Sequence, residues 1–103
     1  MNYANEKLSH LEERHALRLL SYLYKNGKSQ RSSLYFAISR TTTAPMKRVN
    51  EMIGLGLVKE TQMEGAPFAK NVELTDKGRE IARHVLAIEK LITESADVDG
   101  ATA

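Results

Sequence analysis

Six cations stand between residues 25 and 50 with no acid among them: Lys25, Lys28, Arg31, Arg40, Lys47 and Arg48. All 13 Asp and Glu residues lie outside that stretch, so a formal net charge of +2 hides a one-signed central segment. Cations gathered in this way suit a polyanion, because each one that meets a phosphate releases condensed counterions. Arginine adds a planar fork that matches phosphate or the guanine edge, whereas lysine acts as a point charge. The side chains that perform bond chemistry give no comparable pattern. His10, His15 and His84 are too scattered for a ligand set, and the chain has no cysteine to join them. Glu12 and Glu13 are adjacent, and neighbours on a helix do not face each other. No Ser/His/Asp arrangement, phosphate-cradling glycine loop or metal triad can be traced. The expectation is a binding protein that is not an enzyme, with no metal and no cofactor.

These cations need elements to hold them. From about Leu8, apolar residues recur at three- and four-residue steps through Leu11, Ala16, Leu19, Leu20, Leu23 and Tyr24. That predicts one first helix with a broad apolar face that includes Leu17. Ser9 and Glu12 have capping-box spacing, and Asn26-Gly27 supplies the stop. Residues 28–31 read as a connector. A second helix is predicted over 33–39, capped by Ser32-Ser33 and burying Leu34, Ile38 and either Phe36 or Ala37. Ser39-Arg40-Thr41-Thr42-Thr43 interrupts it, since successive β-branched threonines favour turns and caps. A third helix follows over about 43–55. Thr42 or Thr43 can cap it, Pro45 falls in its first turn, and Met46, Val49 and Ile53 share its apolar face, which Met52 can join. Residues 57–63 and 71–75 read as the two strands of a hairpin around Glu64-Gly65-Ala66-Pro67. Thr75 opens a last helix with Asp76 in its first turn, along which Ile81, Val85, Ile88 and Ile92 form a heptad-like stripe with Leu91 beside it. Tyr22, Tyr24, Tyr35 and Phe36 sit at helical spacings and are assigned to core or rim rather than to base stacking.

Helix, helix, tight turn, helix, hairpin and long helix, in that order, make residues 40–43 the turn of a helix-turn-helix, whose second helix enters a major groove. With Met46, Val49 and Ile53 turned inward, Lys47, Arg48, Asn50 and Glu51 lie elsewhere on its circumference, with the lysine and arginine side facing solvent. Thr42, Thr43 and Lys47, at the N-terminal end, are expected nearest the base edges. Arg48 can read guanine bidentately or clamp a phosphate; phosphate and sugar take the larger share of contacts in such interfaces. Arg31 and Ser32 begin the second helix, a place for backbone contact, and Arg40 and Thr41 complete the expected set. Lys70 is the one cation of the 64–70 loop, so that loop reads as a weak minor-groove element.

Two longer stretches carry a resemblance. Met46-Lys47-Arg48-Val49-Asn50-Glu51-Met52-Ile53-Gly54-Leu55-Gly56-Leu57-Val58 looks like a recognition helix passing into a first wing strand. Val72-Glu73-Leu74-Thr75-Asp76-Lys77-Gly78-Arg79-Glu80 is similar to a second wing strand and the "LTxKG" opening of a last helix. With the leucine-rich first helix, the chain resembles winged helix-turn-helix regulators of the MarR, ArsR and PadR kind, especially small archaeal members with an extended C-terminal helix. The likeness covers roughly residues 11–92. The three threonines before Pro45 and the Gly54 inside the helix depart from the commonest pattern. The resemblance implies a mainly α fold with a small β-hairpin and a long C-terminal helix. It implies transcription regulation, with double-stranded DNA held by a homodimer. It also implies that Ile81, Val85, Ile88 and Ile92 form the dimer interface; packing of the same stripe against the first helix of its own chain is the alternative.

The 103 residues suit one domain. The winged-helix domain is expected over 1–93, with its dimerisation helix at about 75–93, and a disordered tail over 94–103. No apolar run approaches the roughly 20 residues of a membrane span, and the polar, mixed-charge start does not read as a signal peptide. No membrane partner is expected. The lack of cysteine fits a reducing compartment, and a cytoplasmic location is expected. Two competing functions stand beside sequence-specific DNA binding: a winged helix that docks another protein and touches no DNA, and non-specific chromatin-like binding, ranked last because such proteins carry far more than a net charge of +2.

Overall fold

The structure is a computed structural model that describes residues 7–62, 64–65 and 69–102, with side chains through 94. The chain enters through a short α1 (Ser9–Glu12) and continues into α2 (Ala16–Asn26). The apolar spacing predicts one continuous helix here. The structure instead breaks it at 13–15, where Glu13 is extended and His15 takes a left-handed φ of 71°. Neither glycine nor proline marks that break, so periodicity runs straight across it. Ser9 is the first residue of α1 rather than its cap. Within α2, Ala16, Leu19, Leu20 and Leu23 are buried, while Leu17 points outward. Gly27 stops the helix at φ 74°, its N–H donating to Leu23 O at 2.9 Å.

A strand, β1 (Ser29–Gln30), stands where a connector is expected. Two polar residues carry no alternation to announce it. It exists through its partner β3 (Lys70–Leu74), with Ser29 opposite Val72 and Gln30 opposite Asn71. The extended backbone of Gln30 leads straight into α3 (Arg31–Ile38), which starts two residues before the predicted Ser33. Leu34, Tyr35 and Ile38 turn inward, and Phe36 is 79% exposed. Neither Phe36 nor Ala37 fills the inward position the sequence offered them. The chain then forms α4 (Thr43–Gly54), β2 (Val58–Gln62), β3 and α5 (Asp76–Thr102).

The sheet is antiparallel in the order β1-β3-β2, with Val58 opposite Leu74 and Gln62 opposite Lys70. The hairpin therefore gains a third strand. Thr75 joins sheet to last helix. Its Oγ1 accepts the Gly78 N–H at 3.0 Å, an N-cap bond, and donates to Gly56 O at 2.6 Å. Leu19, Leu20 and Leu23 form the centre of the core. Leu34, Val49, Met52, Val58, Val72 and Ala82 close around them from all the remaining long elements. The backbone of α5 is helical through Thr102, beyond the Thr93 at which the sequence reading ends it. Among the described residues, no helix is long and apolar enough to cross a membrane.

Candidate nucleic-acid interface

The packing of α4 decides which of its side chains can meet a ligand. Pro45, Arg48, Val49 and Met52 are buried, and Thr43, Met46, Lys47, Asn50 and Gly54 are exposed. The buried positions step by three and four, as one helix face requires. Of the predicted apolar face, Val49 and Met52 are buried, whereas Met46 and Ile53 are not. Met46 is 43% exposed and Ile53 only half-buried.

Arg48 is the main correction. Polarity places it outward, but it is 5% exposed. Its Nη1 lies 3.0 Å from Glu51 Oε2 on the same helix and 3.4 Å from Glu13 Oε2 at the α1–α2 break. Two carboxylates thus compensate the guanidinium, and the aliphatic stem takes its place in the interior. The buried Nε has no hydrogen-bond partner. Arg48 therefore ties α4 to the α1–α2 break and leaves the outward set.

Arg31 is also drawn into the protein. From the first position of α3, its Nε donates to Tyr35 Oη at 2.7 Å and its Nη2 donates to Asn50 Oδ1 at 2.9 Å. Its Nη1 donates to the Glu60 carboxylate on β2. The guanidinium also lies over the Tyr35 ring, 5.7 Å from its centroid. Burial works against the charge, but hydrogen bonds to Glu60 and Tyr35 outweigh it and hold the pKa of Arg31 above its ordinary value. One side chain thus links α3, α4 and β2.

The remaining expected residues lie along the solvent side of α3 and α4. Ser32 is exposed at the start of α3. Arg40, Thr41, Thr42 and Thr43 are exposed in and after the turn. That turn is tightened by Ser39 Oγ, which accepts the Thr41 N–H at 3.2 Å. Thr42 occupies the N-cap position of α4 without a side-chain cap bond. Lys47 is exposed, and among the described residues no acid pairs with it or with Arg40. Lys70 is half-buried at the start of β3, apart from the turn in sequence and joined to β2 through Gln62.

Four of the expected residues, Thr42, Thr43, Lys47 and Asn50, thus share the outward side of α4 and its cap. The sequence reading missed the partners Glu13, Tyr35 and Glu60. An Arg-x-x-x-Tyr spacing could have suggested the Arg31–Tyr35 pair on one helix, but no local signal names Glu60 or Glu13. Among the described residues, no group of three or more His, Asp or Glu side chains is placed to hold a metal ion.

No protein-family model matches the chain, and no curated protein matches it. Solved structures do. MepR of S. aureus in a DNA-binding conformation shares 17% identity at a TM-score of 0.77, covering 93% of this chain and 72% of that one. FabT of Streptococcus pneumoniae in complex with DNA shares 17% at 0.73, covering 97% of this chain and 65% of that one. A MarR family transcriptional regulator from Silicibacter pomeroyi shares 20% at 0.72, covering 86% of this chain and 65% of that one. The likeness is one of backbone arrangement. A helix-turn-helix over α3 and α4, followed by a hairpin and a long last helix, gives this chain the winged helix-turn-helix fold of the MarR-type regulators.

Proposed function

We propose that this chain is a DNA-binding transcription regulator and not an enzyme, holding duplex DNA as a homodimer with α4 in the major groove. The observation that carries the reading is the outward face of α4. A lysine without an acidic partner among the described residues, a threonine-rich N-terminus and an asparagine project together from a helix whose other side is fixed in the core. Phosphate contacts would come from Ser32, Arg40 and Thr41, from Lys47, whose point charge suits a phosphate better than the base edge first expected for it, and from the N-terminal amides of α4. Thr42, Thr43 and Asn50 would approach base edges. Lys70 would contribute from the wing. Residues 1–93 would form the binding unit, with α5 from about residue 75 joining two copies, in the cytoplasm where the DNA lies. That MepR and FabT are described in a DNA-binding conformation and in complex with DNA supports the reading for this fold.

The test is selection of bound duplexes from a random pool, repeated at low and physiological salt. A palindromic site is expected, with affinity that falls steeply as salt rises. Lys47→Ala is expected to weaken every duplex alike and to lower the salt slope by about one unit. Failure to bind any duplex at low salt would overturn the proposal. One observation favours a second reading, a protein-docking module without DNA: Phe36 is 79% exposed on α3, beside the proposed interface. Absence of duplex binding, together with loss of a protein partner on Phe36→Ala, would establish that reading instead.

A further inference from the structure

We infer that Arg31 sets what α4 reads at Asn50, by holding the carboxamide so that its amide N–H groups, and not its oxygen, face the nucleic acid. The inference rests on the DNA-binding reading and goes beyond it to a base preference. A carboxamide has one accepting and one donating end, and the two are easily exchanged by rotation. Guanidinium resolves the choice, because it has donors and no acceptor. The atom of Asn50 that meets Arg31 Nη2 at 2.9 Å must therefore be Oδ1. That hydrogen bond is charge-assisted, about twice as strong as a neutral one.

Arg31 is itself held from two further sides, by Tyr35 Oη at 2.7 Å and by the Glu60 carboxylate. With Nε, Nη1 and Nη2 each engaged, the guanidinium cannot swing away without breaking several bonds at once. Asn50 is exposed on the outward face of α4, so its Nδ2 is the group left for a base edge.

An asparagine free to rotate pairs bidentately with adenine, accepting from N6 and donating to N7. At Asn50 that pose requires the oxygen to turn toward the base and give up Arg31. A donor-only amide instead suits an edge of acceptors. Guanine offers two, N7 and O6, side by side in the major groove. Arg31 is thus a positioning residue for specificity. Its charge is compensated by Glu60 and serves orientation before phosphate binding.

The experiment compares wild type with Asn50→Ala, Arg31→Met and Glu60→Gln in the same duplex selection, followed by titration of the selected duplex and its single-base variants. Asn50→Ala is expected to identify one base pair per half-site whose preference it abolishes. At that pair, wild type is expected to favour guanine over adenine by about tenfold, the lower range for a good base contact. Arg31→Met is expected to bring the two bases to near parity, and Glu60→Gln to keep guanine. In the free protein, the Asn50 side-chain amide signals are expected to move on Arg31→Met and to stay on Glu60→Gln. Preference for adenine at the Asn50-dependent pair would overturn the inference, and this arm needs no Arg31 variant to fold. Unchanged preference in a folded Arg31→Met would overturn it too. If no duplex is selected, the DNA-binding reading itself has failed, a result distinct from either of these.

Discussion

An imidazole at a left-handed backbone position marks where the chain turns from α1 into α2. Left-handed φ costs an L-residue on the order of 1–2 kcal/mol, so the surroundings must hold His15 there. They do so from both sides: Ala16 N–H donates to Glu13 O at 3.1 Å, and Leu19 N–H donates to His15 O at 2.9 Å. The same surroundings disfavour the imidazolium. Burial first, then the charges of Arg14, Arg18 and Arg48, hold the pKa of His15 below its ordinary value of 6.5. The folded protein therefore binds a proton at this site less readily than the unfolded chain. As pH falls from 6.5 toward the lower folded value, the unfolded state takes up the proton first and stability drops. His15→Asn tests this, because asparagine tolerates the left-handed region and does not titrate. Urea midpoints measured between about pH 5 and about pH 7.5 are expected to fall less at the acid end for the variant than for wild type. Identical slopes would show that His15 does not contribute.

At the scale of elements, two glycines near the ends of α4 and α5 have opposite physical roles. Gly54 is the last residue of α4, and a Cβ there would meet nothing within 4 Å. Gly54→Ala is therefore expected to stabilise the fold by about 0.5–1 kcal/mol, through lower backbone entropy of the unfolded chain. Gly78, in the first turn of α5, lies against the strand entry: a Cβ there would stand 1.9 Å from Leu57 O. That oxygen already accepts the Thr75 N–H at 3.0 Å, so neither it nor the helix can shift freely. Gly78→Ala is expected to cost about 1–3 kcal/mol or more. Thermal melts of the two variants should move in opposite directions; a neutral Gly78→Ala would mean that α5 does not sit so close to residue 57. The quoted Thr75-Asp76-Lys77-Gly78 run thus has a packing reason, and its place at the start of a helix was legible from the sequence. The order of elements was legible for the same kind of reason, since Gly27, Pro45 and Thr75 act locally. The face of α4 was not. Counting Arg48 as polar rotates the helix outward by mistake, because its burial depends on Glu13, distant in sequence and placed by the unmarked break at His15. Strand β1 was hidden likewise, its two polar residues being recruited by β3. Among the candidate contacts, the exposed threonines and Lys47 followed from local rules. The capture of Arg31 by Glu60 and Asn50 needed the tertiary structure.

The whole molecule is less compact than its length allows. Its radius of gyration is 15.5 Å, against about 13 Å for a compact domain of this size. The last helix, α5, runs from Asp76 to Thr102, longer than the 11-residue α2 against which it packs. Its apolar stripe divides accordingly. Ile81 packs against the core and Val85 is half-buried, so the first half of the stripe serves this chain's own fold. Ile88, Leu91 and Ile92 are 56%, 62% and 65% exposed, and Ile88 and Ile92 line a groove of about 880 Å³ together with Leu17 and residues of the α1–α2 break. Full burial of an exposed aliphatic side chain gains on the order of 1.5–3 kcal/mol, so six such side chains across a symmetric pair contribute on the same order as the cost of association. The proposed dimer is therefore expected to use Ile88, Leu91 and Ile92, with Ile81 no longer a principal contact. Ile88→Glu combined with Ile92→Glu should convert the protein to monomer in sedimentation velocity while leaving its helical circular dichroism intact. Because two recognition helices must meet half-sites one helical turn apart, roughly 34–36 Å, the monomer should also lose preference for a palindrome over a single half-site. A wild-type protein that sediments as monomer at micromolar concentration would overturn the proposed dimer, and a double variant that remains dimeric would place its interface elsewhere.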